Sequence, residues 1–319
     1  MINFPKRGGV TVKLSSPSLC GVKTISFLAK LIIAGSMFAP IAFSQQEQYS
    51  VHPDSKKQAG VPRGKVTQAK FADSTVYPGT DRDYWIYVPA QYEPGQTASL
   101  MVFQDGKAYV NGSTFNALDN LIHRRDIPVM IGVFVNPGVV PPQNENAQAR
   151  FNRSLEYDDI SDRYSQFLID ELLPHIERTH GVHFSIDPNL RGITGASSGA
   201  ICAFNVAWHR PDSFHRIYST IGTYVGLRGG DEIPTLIRKT EPKPLRVFLQ
   251  DGENDLNIYG GDWWIANQMM QRALKFSGYE LKHEWGDGGH SRKHGNAIFP
   301  DAMRWLWHSD AAEVKTHYD

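Results

Sequence analysis

The chain has 319 residues, 41% of them hydrophobic, enough to bury one large core. Lys plus Arg and Asp plus Glu number 33 each, so there is no basic footprint for nucleic acid, and small weakly charged molecules or an uncharged polymer suit the balance better. Two cysteines, Cys20 and Cys202, exclude a disulfide framework.

From the N-terminus, Lys6, Arg7, Lys13 and Lys23 precede an apolar run from Ile25 to Phe43, interrupted by Lys30 and ending in Ala42-Phe-Ser44. This predicts a secretory signal peptide over 1–44 and a periplasmic or secreted protein. The core Leu28–Ala42 is short for a membrane span, and no later stretch is long enough to cross a bilayer. No stable membrane association is therefore expected after cleavage, an uncleaved anchor being the alternative. Cys20 precedes the apolar run and does not read as a lipid acceptor. Residues 45–62, polar with Pro and Lys, are expected to form a flexible arm, 63–310 the catalytic domain, and 311–319 a C-terminal tail.

Strands are predicted near 65–71, 83–88, 99–104 and 129–135. Residues 136–152 are too irregular for an element, and loops of this length are usually functional or mobile. Arg153 is expected to brace the site through an ion pair with Glu156 or Asp158, or else to contact an acidic or sugar substrate. From Asp158 to Thr179 the spacing of Ile160, Tyr164, Phe167, Leu168, Leu172, Leu173 and Ile176 predicts a helix, strained or kinked by Pro174.

The segment Asn189–Thr194 reads as a short buried strand and Ala200–Trp208 as a packed helix. Between them lies Gly195-Ala-Ser-Ser-Gly199, a G-x-S-x-G sequence in the strand–turn–helix context of a nucleophile elbow. The glycines suit a turn whose dihedrals are strained and whose neighbours lie close. A connecting Gly/Ser loop is the plainer reading. Cys202, among apolar neighbours, reads as core filler rather than a nucleophile.

A serine hydroxyl needs a histidine to take its proton, and the histidine a carboxylate to orient it. The strand Pro244–Leu249 ends in Asp251-Gly-Glu-Asn-Asp255, which offers Asp251, Glu253 and Asp255 as acids, with Asp255 preferred because Gly252-Glu-Asn-Asp255 resembles the acid loop of serine hydrolases with a nucleophile elbow. The alternating segment Tyr279–Trp285 ends in Gly286-Asp-Gly-Gly-His290 and supplies His290 as the base. A zinc site on His290, His294 and Asp287 is the competing reading, but the glycines favour a loop over a helix presenting both imidazoles. Asp262–Phe276 is a helix with Gly278 at a left-handed cap. Its Trp263 and Trp264 read equally as cleft-lining or as packed core. Strands alternating with helices predict an α/β fold, with a mostly parallel sheet covered on both faces.

Arg82-Asp-Tyr-Trp-Ile-Tyr-Val-Pro89, Leu100-Met-Val-Phe-Gln-Asp-Gly106, the elbow and Gly288-Gly-His290 resemble the enterochelin-esterase-like branch of the α/β-hydrolases. That branch includes feruloyl and acetyl-xylan esterases of carbohydrate esterase family 1, and the resemblance runs from Val66 to Trp307. It implies an α/β-hydrolase fold and an oxyanion hole built from the backbone N–H groups of Ser198 and of Gln104 or Asp105. It also implies a serine esterase needing no metal or organic cofactor, with acetyl or hydroxycinnamoyl esters of carbohydrate as substrates. Siderophore esterases of the branch carry an extra N-terminal domain. Here the strands begin soon after residue 60, so siderophore hydrolysis is the lesser expectation. A ligand-binding protein without turnover, and a peptidase or acyltransferase using the same triad, are the remaining readings.

Overall fold

The computed structural model describes residues 49–316, with side chains to 308; the predicted signal peptide lies outside the described residues. Strands β1 (Lys65–Phe71), β2 (Arg82–Val88), β3 (Thr97–Gln104) and β4 (Met130–Val135) come first, with helix α1 (Gly112–His123) between β3 and β4. The two-residue strands β5 (Val139–Val140) and β6 (Arg150–Phe151) follow, then α2 (Arg153–Tyr157), α3 (Arg163–Gln166), α4 (Leu173–His180) and the short β7 (His183–Phe184). Strand β8 (Arg191–Ala196) leads into α5 (Ser198–His209), β9 (Arg216–Thr220) and α6 (Ile233–Lys239). The chain closes with β10 (Arg246–Gly252), the hairpin β11 (Asn257–Ile258) and β12 (Gly261–Asp262), α7 (Trp263–Phe276), β13 (Glu280–Gly286) and α8 (Lys293–Thr316).

The central sheet has the order β1-β2-β4-β3-β8-β9-β10-β13. It is antiparallel across β1, β2 and β4 and parallel from there on. Strands β4 and β9 are buried along their whole length, as expected of parallel strands with both faces covered. One face packs on α5, α6, α7 and the 157–184 segment, through Phe167, Leu172, Phe204, Ile237 and Leu274. The other packs on α1 and α8, through Leu118, Leu121, Met303 and Trp307.

The structure departs from the sequence expectations at four points. Strand β9 was not foreseen: Arg216-Ile-Tyr-Ser-Thr220 has too few apolar residues to stand out, although it sits between β8 and β10. The single helix over 158–179 is broken. Its middle, Phe167–Leu172, is wound as a π-helix in which the Leu173 N–H reaches the Leu168 carbonyl. This winding lets Pro174 sit at the start of α4, where a missing N–H costs little. The described part of the arm, 49–62, is tied down. Asp54 is buried and pairs with Arg124 and Arg304, while Asn120 Nδ2 donates to the carbonyls of Asp54 and Lys56. Helix α8 also runs beyond the domain end placed at 310. Among the described residues no helix is long and apolar enough to cross a membrane.

Candidate active site

Parallel strands present their C-terminal ends on one edge of a sheet, and ligands bind outside that edge. Neighbouring strands β8, β9, β10 and β13 therefore deliver four loops to one place. At the end of β8, Ser197 takes φ 60° and ψ −125°, a conformation a serine adopts only when its surroundings impose it. Its N–H donates to the Thr220 carbonyl (3.0 Å), and its own carbonyl accepts from the Thr223 N–H (3.3 Å). A Cβ on Gly195 would overlap the backbone of Gly199, and one on Gly199 would press on Gln104 and Asp105 at the end of β3.

The acid and histidine loops are joined by backbone. Glu253 N–H donates to the Gly286 carbonyl and Asn254 N–H to that of Gly288, while Asn254 Nδ2 reaches the Asp287 carbonyl. A side chain on Gly252 would collide with the backbone of Gly288, so the contact between the two loops requires this glycine. These contacts aim His290 between two partners. Its Nε2 lies 2.8 Å from Ser197 Oγ and its Nδ1 2.6 Å from Asp255 Oδ1. Both ring nitrogens are thus engaged, leaving none for the zinc reading. His294 instead stacks on Tyr49 at 4.4 Å, and Asp287 accepts from the Tyr49 hydroxyl. Among the described residues no group of His, Cys, Asp and Glu is placed to hold a metal ion.

Of the three acids, Asp255 meets His290, Glu253 is exposed, and Asp251 lies wholly buried behind Asp255. Burial would raise the Asp255 carboxyl, but hydrogen bonds from His290, Asp251 and the Leu256 N–H outweigh it and hold the group below the usual carboxylate range. Asp251 goes the other way. Burial, then its hydrogen bond to Asp255 and the repulsion between the two, pushes it up to about 9, so it keeps its proton at neutral pH and donates it towards Asp255. Cys202 is buried and its thiol is raised well above the usual range, chiefly by desolvation.

The remaining predicted residues divide. Ser198 opens α5, so its N–H has no acceptor within the helix and remains a suitable oxyanion donor. The Asp105 N–H does not, because it donates to the Tyr157 hydroxyl at 3.2 Å. Gln104 lies within β3 opposite Val135, with its side chain accepting from Tyr164. Trp263 is buried beside His290, its ring edge-on at 5.9 Å, whereas Trp264 packs against Trp285. A groove of about 570 Å³ lined by Tyr49, Tyr109, Asn111, Lys293 and Phe299 includes none of Ser197, Asp255 and His290.

Arg153 does not pair with Glu156 or Asp158. It grips Asp105 with two hydrogen bonds of 2.8 and 2.7 Å, because α2 turns its first residue towards the β3 end and its fourth into the core. There Glu156 pairs with Arg82 (2.6 Å) and accepts from the Gly138 N–H. Asp105 is held in the left-handed region (φ 54°), and its carboxylate lies where a Cβ on Gly199 would touch it. Arg153 thereby locks the β3 loop against the elbow. Arg153→Met is expected to lower kcat by about tenfold to a hundredfold, since small displacements of positioning groups cost this much. Steady-state hydrolysis of a p-nitrophenyl ester checks it, with circular dichroism showing an intact fold.

A sharp strand–serine–helix turn on a mostly parallel sheet, with serine, acid and histidine following in that order on successive loops, defines an α/β-hydrolase. The family described as "Putative esterase" matches residues 75–313, and the chain belongs to it. The iron(III) enterobactin esterase of Dickeya dadantii (strain 3937) is 28% identical over 156 residues, covering 44% of this chain and 34% of the relative. The chain thus spans about a third of that curated relative. Among solved structures, a ferulic acid esterase superposes with TM-score 0.61 at 17% identity, over 77% of this chain and 99% of its own. A CE1 ferulic acid esterase from Anaeromyces mucronatus, with ferulic acid, gives 0.61 at 18% identity over 81% and 97%. The enterobactin esterase of Shigella flexneri, with enterobactin, gives 0.65 at 19% over 82% and 63%. At these identities the structures show the shared fold.

Proposed function

We propose that the protein is an exported serine esterase that forms an acyl-enzyme on Ser197 and acts on acetyl or hydroxycinnamoyl esters of carbohydrate. The observation that carries the reaction is the relay from Ser197 Oγ through His290 to Asp255. His290 Nε2 takes the serine proton as Oγ adds to the ester carbonyl. The Ser198 N–H supports the resulting oxyanion. His290 then returns the proton to the leaving alcohol, and a water molecule releases the acid by the same steps.

The substrate class rests on the ferulic acid esterases, whose chains this fold covers almost end to end, against less than two thirds for the enterobactin esterase. Export rests on the basic and apolar run before Gln45. The test compares feruloylated and acetylated xylo-oligosaccharides with a catechol-bearing trilactone, using wild type and Ser197→Ala. Turnover of the sugar esters alone, lost in the variant, is expected. Preferential turnover of the trilactone would move the substrate to the siderophore class, and ligand binding without turnover in either protein would replace the enzyme by a binding protein. N-terminal sequencing of protein recovered outside the cytoplasm is expected to begin near Gln45.

A further inference from the structure

We infer that Thr223 is a catalytic hydrogen-bond donor to Ser197 Oγ, serving the step in which that oxygen leaves the acyl group. The inference rests on the acyl-enzyme reading above. Thr223 follows β9 in the loop missed by sequence reasoning, and it is almost fully buried. Its Oγ1 lies 3.2 Å from Ser197 Oγ and 3.1 Å from Trp263 Nε1.

The direction of these bonds follows from chemistry. An indole N–H only donates, so Thr223 Oγ1 accepts from Trp263. At the other end Asp255 is held ionised and accepts from His290 Nδ1–H, which leaves Nε2 as the acceptor of the serine proton. Ser197 has one proton, and it goes to His290. The Thr223 proton is then the one that lies between the two hydroxyl oxygens. A single directed chain results, running Trp263 to Thr223 to Ser197 to His290 to Asp255.

The loop is built to hold this hydroxyl in place. Ile221, a β-branched residue, is forced to φ 43° with its N–H on the Gln250 carbonyl (2.7 Å). Asn267 Nδ2 donates to the Gly222 carbonyl (2.9 Å), and the Thr223 N–H bonds the Ser197 carbonyl. Strain of this kind persists only where surrounding contacts impose it, and here it fixes the Thr223 hydroxyl beside the nucleophile.

A donor aimed at Oγ stabilises negative charge there. In acylation Oγ is the attacking atom, and the bond gives no advantage. In deacylation the bond between Oγ and the acyl carbon breaks, its electron pair passes to Oγ, and the proton on His290 Nε2 moves onto it while the carboxylic acid departs. Thr223 keeps its own proton and shares it with Oγ as charge builds, so its removal should slow the second half of the cycle.

The test is pre-steady-state hydrolysis of p-nitrophenyl acetate by wild type, Thr223→Val, Thr223→Ala and Thr223→Ser, with the acetyl adduct located by intact mass and peptide mapping. Thr223→Val and Thr223→Ala are expected to keep the acylation burst within about threefold, to lower kcat about tenfold to a hundredfold with KM falling alongside, and to accumulate acetyl on Ser197. Thr223→Ser is expected to restore most of kcat. Unchanged kcat in either apolar variant would overturn the inference, as would a parallel loss of burst and kcat. Should valine disturb folding, alanine gives the same readout. An adduct on another residue of the wild type would instead overturn the Ser197 reading itself.

Discussion

Asp255→Asn is expected to lower kcat by about four orders of magnitude, because an asparagine can stabilise the wrong histidine tautomer and cannot stabilise the imidazolium. Asp251→Asn, four residues earlier and still within β10, is expected to leave kcat within about tenfold, since an amide can still donate towards Asp255. The two carboxyls are therefore told apart by the same substitution. They also differ in how they link pH to stability. Asp251 has a folded value of about 9, above the 3.8 of an ordinary aspartate. The unfolded chain loses this proton first, so the native state is favoured fully below 3.8 and loses that advantage as pH rises towards 9. Asp255 is lowered, so its contribution is present above 3.8 and disappears as pH falls through its folded value. Urea unfolding from pH 5 to 9 should show wild type weakening relative to Asp251→Asn as pH rises. Activity should show the same contrast above about 9, where a second charge beside Asp255 replaces a hydrogen bond. A constant stability difference between the two proteins would contradict the buried, protonated Asp251.

Glu156→Ala is expected to destabilise the fold by about 3–5 kcal/mol, the usual cost of leaving a buried partner charge uncompensated. Arg82 and Glu156 both have side chains with 0% exposure, and the guanidinium also lies 3.9 Å above the Phe167 ring. For a domain of this size the loss corresponds to a fall in Tm of about 6–15 °C. Replacing both residues, Arg82→Met with Glu156→Leu, should recover much of it, because no charge then remains buried. Calorimetry of the two proteins decides the matter. The pair also bears on the site, since Glu156 fixes the short helix α2 whose first residue, Arg153, holds Asp105.

Much of this architecture could be read from the residues. Strands such as Leu100–Gln104 and Arg246–Leu249 stand out because fully buried parallel strands are continuous apolar runs. The elbow was legible because two glycines bracket a serine between a strand and a helix, where close packing leaves little room for a Cβ at either. Strand β9 was not, since burial there falls on Arg, Ser and Thr as well as on Ile and Tyr. With it went Thr223, whose place beside Ser197 depends on a neighbouring strand rather than on any motif. The partner of Arg153 was equally hidden: Asp105 is 48 residues away, and helical spacing favours Glu156, which tertiary packing turns inward. A five-residue acidic turn likewise does not say which carboxylate faces the histidine; the backbone bonds between the two loops do.

The measurement that bears most directly on the central claim is reaction of the folded protein with a fluorophosphonate, followed by peptide mapping. One adduct on Ser197, absent from His290→Ala and strongly slowed in Asp255→Asn, is the result predicted by the relay of 2.8 and 2.6 Å contacts. A folded protein that takes up no label, or carries it on another residue, would contradict Ser197 as the activated nucleophile.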